Sequence, residues 1–475
     1  MRSEHMKNAA VGTLVAATLV AGVLALAPPD PGASGARPAP GPAARARTAA
    51  VAGAPAALPE LNALIAERER WLRANPGDEE SWAVLGTAYA ERGARFADWA
   101  SLPRAEGALR RSLEVLPADR GNTEALLGLA ALAAARQDWT TARDHALRAQ
   151  QQRPRRWTVH RALVEAYGGL GDYNAVGTSL EKLTALYSGA QARGLAAQVY
   201  RDRGWREDAA ANAHDAVSGA ATVTERAAAL CRLGDFAWER GDPEEALRSY
   251  GLALELDPGE HRARAARARA LAALGRTEDA FRDYRAALEG LPLPEIALEA
   301  GELYESLGLT GEAGELYGRA LAEAERAAAS GVNQELLLGR YEADHGDPEE
   351  AVRRLTAEWE RGRHSMETAD ALGWALFRAG RGKAALPYAK RATKEGPRIP
   401  LFSYHRGEIE RALALYGPAR RSIGQALRIN PHFSPRLAPE ARSALTRLGD
   451  PPAGGPPMGG GGRKVRGGAP GPAGD

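Results

Sequence analysis

The sequence predicts an all-α solenoid of about ten helix pairs behind one N-terminal cap helix, and three observations lead there. A two-helix pattern recurs, with small residues where the paired helices touch and larger ones filling the gaps. It is clearest at residues 227–258, where Leu230, Leu233, Gly234 and Ala237 mark one helix and Ala246, Tyr250 and Ala253 the next. The small residue that opens each second helix then keeps a period. From Ala142 it returns at Val176, Ala209, Ala246, Ala280, Ala313, Ala351, Ala385 and Ala419, at spacings of 34, 33, 37, 34, 33, 38, 34 and 34. Finally, a stop proline follows many of these helices (Pro154, Pro258, Pro292, Pro397, Pro431), and the turn GDPEEA occurs at both Gly241 and Gly346.

Taken in order, residues 1–27 differ from everything after them. Arg2 and Lys7 precede 19 apolar or small residues, Ala9 to Ala27. That is the composition of a signal peptide or an N-terminal membrane anchor. Ala25-Leu26-Ala27 suits a signal peptidase, but Pro28 hinders cutting there, so an uncleaved anchor with the solenoid outside the cytoplasm is the expectation. No cysteine follows the run, which excludes lipid attachment of the bacterial lipoprotein kind. Residues 28–58 are rich in Pro, Ala and Gly without a hydrophobic period and read as a disordered spacer. Periodicity begins at Leu61, Leu64, Ile65 and Leu72, a lone second helix capping the stack.

Residues 59–448 carry the repeats. Trp82, Leu85, Gly86 and Tyr89 open the first; its second helix starts late, at Ala105, after seven inserted residues around Phe96 and Trp99. Those two aromatics are expected to pack back on nearby helices. Within a pair, Gly241 closes one helix, Asp242 caps the next, Pro243 suits its first position and Glu245 completes a capping box. Two repeats fit poorly. Arginines 262, 264, 267 and 269 stand where apolar residues belong, so Ala263, Ala266 and Ala270 must form the packed edge of a rotated helix; and Arg406 replaces the usual leucine before Gly407. Residues 449–475 form a Gly/Pro-rich tail, expected to be disordered.

These signatures place the chain with the tetratricopeptide-repeat superfamily, which it resembles over more than four fifths of its length. Its long first-repeat loop, Gly331-Val332-Asn333, Ala343-Asp344-His345-Gly346-Asp347 and Asn430-Pro431-His432-Phe433 are similar to features of exported actinobacterial repeat proteins. The resemblance implies a right-handed superhelix whose first helices line a concave groove that holds peptides or partner helices. Carried onto this sequence, it puts Asp235, Trp238, Arg269, Glu302, Arg340, Asp370, Trp374, Phe377 and Tyr404 in or near the groove. The Lys/Asn set with which some members clamp a C-terminal carboxylate is absent.

Nothing in the sequence points to catalysis or to a cofactor. Gly382-Lys383 is followed by Ala384, so no Walker loop exists, and neither His-Glu-x-x-His nor Gly-x-Ser-x-Gly occurs. The nine histidines lack metal-binding spacing. Asp344-His345-Gly346-Asp347 falls at a helix-to-helix turn, where capping is the expected role. Cys231 is the single cysteine, which excludes an internal disulfide. A net charge of +2 gives no field for nucleic acid. On α-helical spacing, Glu295, Glu299, Glu302 and Glu305 make an acidic side that Arg262 and Arg269 of the preceding helix can pair with. The reading is a non-catalytic interaction scaffold of the cell envelope, binding a protein or peptide segment. A structural spacer or assembly platform, or an accessory subunit of an envelope enzyme, is the alternative.

Overall fold

Many helices begin with a cap that the sequence carries: Asp78, Asn122, Asp138, Asp172, Thr222, Asp242, Asp347 and Ser365 each accept from a backbone N–H of the first turn. The structure, a computed structural model, describes residues 40–449 apart from 395, 397 and 398. The apolar run 9–27 and the tail 450–475 lie outside these. Among the described residues there are α-helices and no strand. In front stand α1 (Pro42–Val51) and α2 (Leu58–Ala74). Three pairs follow: α3 (Glu79–Phe96) with α4 (Ser101–Val115), α5 (Thr123–Ala135) with α6 (Trp139–Gln152), and α7 (Trp157–Leu170) with α8 (Tyr173–Leu186). The middle holds α9 (Ala190–Asp202) with α10 (Arg206–Gly219), α11 (Val223–Glu239) with α12 (Pro243–Leu256), and α13 (His261–Ala273) with α14 (Thr277–Gly290). Next come α15 (Pro294–Ser306) with α16 (Thr310–Ala329) and α17 (Glu335–His345) with α18 (Pro348–Glu360). Last are α19 (Met366–Arg378) with α20 (Gly382–Ala392), α21 (Pro400–Ala412) with α22 (Tyr416–Ile429), and a closing α23 (Leu437–Leu448). From α3 to α22 these are the ten pairs that the periodicity predicts.

The spacer expectation is corrected at its C-terminal end. Residues 42–51 form α1, and Ala46, Ala49, Ala54 and Ala56 are buried in the core beneath α2 and α3. Alanine explains both the miss and the fold. An Ala-rich stretch shows little hydrophobic period, yet it is the best helix former and packs wherever a groove admits small side chains.

Several pairs are built alike. In their first helix a glycine leaves a hole, and a large residue of the second helix fills it. A Cβ at Gly339 would stand 2.5 Å from Leu355 Cγ, one at Gly301 2.5 Å from Tyr317 Cε1, and one at Gly407 2.5 Å from Ile423 Cγ1. In the first pair the same relation joins Gly86 to Leu109, lengthened by the seven-residue insertion. The turn inside almost every pair then needs a left-handed residue, as at Gly171, Gly204, Gly241, Gly275 and Gly308. Asp242 accepts from Glu245 N at 2.9 Å, the cap that the sequence predicts. The alanines of α13 are buried as expected, and Trp99 packs inward against two core clusters.

The repeats do more than stack. From Pro42 onward the described residues belong to one compact unit. Inside it the turns within the early pairs meet the turns between later pairs, one superhelical turn further on. Asn333 N donates to Arg136 O (2.9 Å), His364 N to Leu170 O (2.9 Å) and Asn430 Nδ2 to Trp238 O (2.7 Å). Gly204 lies against Gly396 between them. These partners are 192 to 197 residues apart. A seam therefore closes the superhelix on itself, and the first helices face a lumen instead of an open groove.

Candidate lumen binding site

The first helices pack against their neighbours and turn one side to the lumen. Residues spaced three or four apart therefore project together. Glu295, Glu299 and Glu302 come from α15, Arg340 and Asp344 from α17, Asp370 and Trp374 from α19, and Leu401 and His405 from α21. All nine line one cavity of about 540 Å³. A second cavity of about 350 Å³ adjoins it and shares Glu299, Glu302, Phe433 and Ser434; Trp238 and Arg269 lie on its wall. The loop between α22 and α23 crosses the lumen and contributes to both.

The wall of the larger cavity is a packed polar and aromatic cluster. His405 stacks on Trp374 with centroids 4.0 Å apart and an interplanar angle of 14°. Its Nδ1 donates to Asp370 Oδ2 at 2.9 Å, and Trp374 Nε1 donates to Asp344 Oδ1 at 3.0 Å. Arg436, from the loop before α23, reaches Asp344 at 3.2 Å and Glu305 at 3.9 Å. Burial acts to raise the Asp344 carboxyl, but Arg436, His405 and the Trp374 hydrogen bond outweigh it and hold it below its ordinary value.

Deeper in, Arg269 spans three repeats, 3.7 Å from Asp235 and 3.3 Å from Glu299, and lies over the Trp238 ring. The acidic stripe of α15 is thus partly tied to its neighbours, as pairing between adjacent helices predicts. Glu295 and Glu302 are not so tied, and Glu302 is the more buried of the two. It makes no ion pair or hydrogen bond among the described residues. Burial raises its carboxyl; Arg436 pulls the other way, while Asp344, Glu299 and Glu305 push it further up, to about 7.

That shift fixes a pH dependence. An unfolded glutamate loses its proton near 4.5, and folded Glu302 near 7. Between those values the folded state binds more protons, so this group takes stability away as pH rises from about 4.5 to about 7. Glu302 keeps some solvent contact, so the loss is expected to be roughly 1–2 kcal/mol, less than the full shift implies. Glu302→Gln is expected to raise the unfolding midpoint at pH 8 but not at pH 4. Equal effects at both would contradict this origin.

The predicted groove residues divide. Glu302, Arg340, Asp370 and Trp374 meet at the large cavity, and Trp238 and Arg269 at its neighbour. Arg340 is exposed at the rim. Tyr404 is turned to Glu440 (3.1 Å) and Phe433, and Phe377 lies 5.1 Å from Trp374; neither lines a cavity described here. Asp235 accepts from Tyr250 at 2.8 Å and is a packing group. Trp238 and Trp374 are only 8% and 5% exposed, so they wall the lumen and do not project into it, and Tyr404, at 2%, is a packing residue. Sequence reasoning missed His405, Arg436 and the lumen role of Asp344. Of its local turn, Asp347 is the capping residue, accepting from Glu349 N at 2.9 Å. Cys231 is a free, half-buried thiol packed beside Ala253 and Leu254, and burial raises its pKa well above the ordinary value.

Comparison with known proteins agrees with this construction. A family model described as tetratricopeptide repeat matches residues 231–293, 336–398 and 370–435. No curated protein sequence matches the chain. Among solved structures, a tetratricopeptide repeat protein from Parabacteroides merdae is 19% identical, covering 56% of this chain and 100% of that one at a TM-score of 0.33. Yeast Tom70 is 12% identical, with 76% and 95% covered and a TM-score of 0.34. A human IFIT1 dimer with m7Gppp-AAAA is 16% identical, with 74% and 80% covered and a TM-score of 0.43. At such scores these neighbours carry nothing about what the lumen holds. The family matches themselves span α11–α14, α17–α20 and α19–α22, each two consecutive pairs of the kind repeated from α3 onward. Over residues 231–293 and 336–435 the chain matches the tetratricopeptide-repeat family model.

Proposed function

We propose that the protein is a non-catalytic interaction scaffold whose lumen holds a segment of a partner protein. It works outside the cytoplasm, tethered by residues 9–27 or released after their removal. One observation carries the reading: the lumen already holds polypeptide. Residues 50–55 line a cavity of about 410 Å³ together with first-helix residues of α3, α7 and α11. Side chains of the solenoid grip that segment by its backbone. Glu91 accepts from Ala56 N at 3.1 Å and Arg161 donates to Gly53 O at 3.1 Å. Backbone capture of this kind tolerates many sequences, which suits a scaffold. The self-contacts of the seam favour the alternative of a rigid spacer, in which the lumen is only a by-product of closure.

A photo-crosslinking residue at position 340, on the lumen rim, separates the two. The expected result is one partner captured in the native host from position 340 and not from position 248 on an exposed second-helix face. Capture from position 248 alone would favour the spacer. N-terminal sequencing of the native protein tests the tether: a soluble product beginning between residues 28 and 50 would rule it out while leaving export intact.

A further inference from the structure

Two residues that line the large cavity carry buried hydrogen-bonding atoms without partners. Asp370 and His405 both line it and are 2% and 5% exposed. Asp370 uses Oδ2 on His405, and Asp370 Oδ1 is buried without a partner. A carboxylate only accepts, so the proton of this bond sits on His405 Nδ1, and Nε2 is the ring atom left over. Nε2 too is buried and unpartnered. Glu302, on the opposite wall, adds a second unused acceptor. Buried polar atoms are normally satisfied, and a group left open costs free energy until something fills it. The carboxylates of Asp370 and Glu302 call for a group that brings donors.

The charges point the same way. Arg436 serves Asp344 and Glu305, Arg269 serves Glu299 and Asp235, and His405 faces Asp370, which leaves Glu302 inside and Glu295 with Arg340 at the rim. The Trp374 ring beside them already takes one guanidinium, that of Arg378, whose carbon lies 5.9 Å from the ring centroid. Arg436 shows what the lumen already accepts: a guanidinium, delivered by a chain crossing the superhelix.

We infer that the cavity between α15, α17, α19 and α21 is a binding site for a guanidinium group, carried by an arginine of the partner polypeptide. The planar fork donates to Asp370, its charge faces Glu302, and the flanking peptide runs out past Arg340. This rests on the lumen reading above and names the chemistry that the partner brings. It fails separately, because crosslinking reports where the partner sits whatever side chain it inserts.

The test uses the full chain and four probes in calorimetry: a blocked alanine peptide with one central arginine, its citrulline and lysine counterparts, and agmatine. Citrulline keeps the shape and most donors but not the charge. Expected is saturable binding of the arginine peptide, at least about tenfold weaker binding of the citrulline and lysine peptides, and weak binding of agmatine. Glu302→Gln and Asp370→Asn are each expected to weaken the arginine peptide by about tenfold. Glu302 has no partner among the described residues, so its variant remains informative if Asp370→Asn disturbs folding. Binding of the citrulline peptide as tightly as the arginine peptide would overturn the guanidinium assignment. Agmatine binding as tightly would overturn the polypeptide source. No binding of any probe, or binding that Glu302→Gln leaves unchanged, would overturn the site.

Discussion

Replacing Gly171 and Gly204 together by alanine is expected to open the superhelix while leaving its helices formed. Both glycines sit in turns at positive φ, +79° and +75°, and both press on backbone one superhelical turn away. A Cβ at Gly171 would lie 2.5 Å from the carbonyl carbon and oxygen of His364 and from Ser365 Cα. One at Gly204 would meet Gly396 O. Backbone cannot rotate out of the way as a side chain can, so the seam must part and the Leu170–His364 hydrogen bond with it. Alanine at positive φ also costs roughly 1 kcal/mol on its own. Gly275 and Gly308 supply the control. They hold the same turn conformation, φ +75° and +78°, with nothing within 4 Å of the added Cβ. Gly275→Ala with Gly308→Ala is therefore expected to lower stability slightly without changing dimensions. The seam variant should show a larger radius of gyration by X-ray scattering at unchanged helix content. Equal radii for the two double variants would mean that the seam is no closure.

The second expected result is a change of sign for one substitution at two helical glycines. Gly318 in α16 is exposed with open space around it, so Gly318→Ala should stabilise by roughly 0.5–1 kcal/mol through lost backbone freedom in the unfolded chain. Gly339 in α17 faces Leu355, which is fully buried; the added Cβ would sit 2.5 Å from Cγ and 2.8 Å from Cδ2. Leu355 has nowhere to go, and overpacking of this kind costs about 1–3 kcal/mol. Gly339→Ala should thus lower the unfolding midpoint and push α17 off α18. That helix carries Arg340 and Asp344 to the cavity, so lumen binding should weaken with it. Stabilisation at both glycines would show the hole in the first helix to be unnecessary.

How far the sequence reaches depends on the length scale of the cause. The hole glycine and its filler, such as Gly234 and Tyr250, are 16 residues apart in one helix pair, and both can be read from the spacing. The same holds for Asp242 as a cap and for the buried alanines of α13. The lumen-facing set was legible in part for the same reason: Asp370 and Trp374 are four apart on one helix. Their actual environment was not. His405 under Trp374, and Arg436 across from Asp344, come from different repeats, and no periodicity ranks one lumen residue above another.

α1 escaped for a different reason. Its alanines give no contrast between faces, and only the groove formed by α2 and α3 makes them a core.

The sequence by itself determined the repeat: where helices start, stop and touch their immediate neighbours, because those interactions are local and recur every 33 to 38 residues. Only the tertiary structure decided that the superhelix closes. Each pair adds a small rotation to the last, and the contacts between Leu170 and His364 or Trp238 and Asn430 depend on the sum of several such rotations. A small change at every interface would leave each repeat intact and part the two turns. With them would go the lumen that collects Glu302, Asp370 and His405 around one cavity.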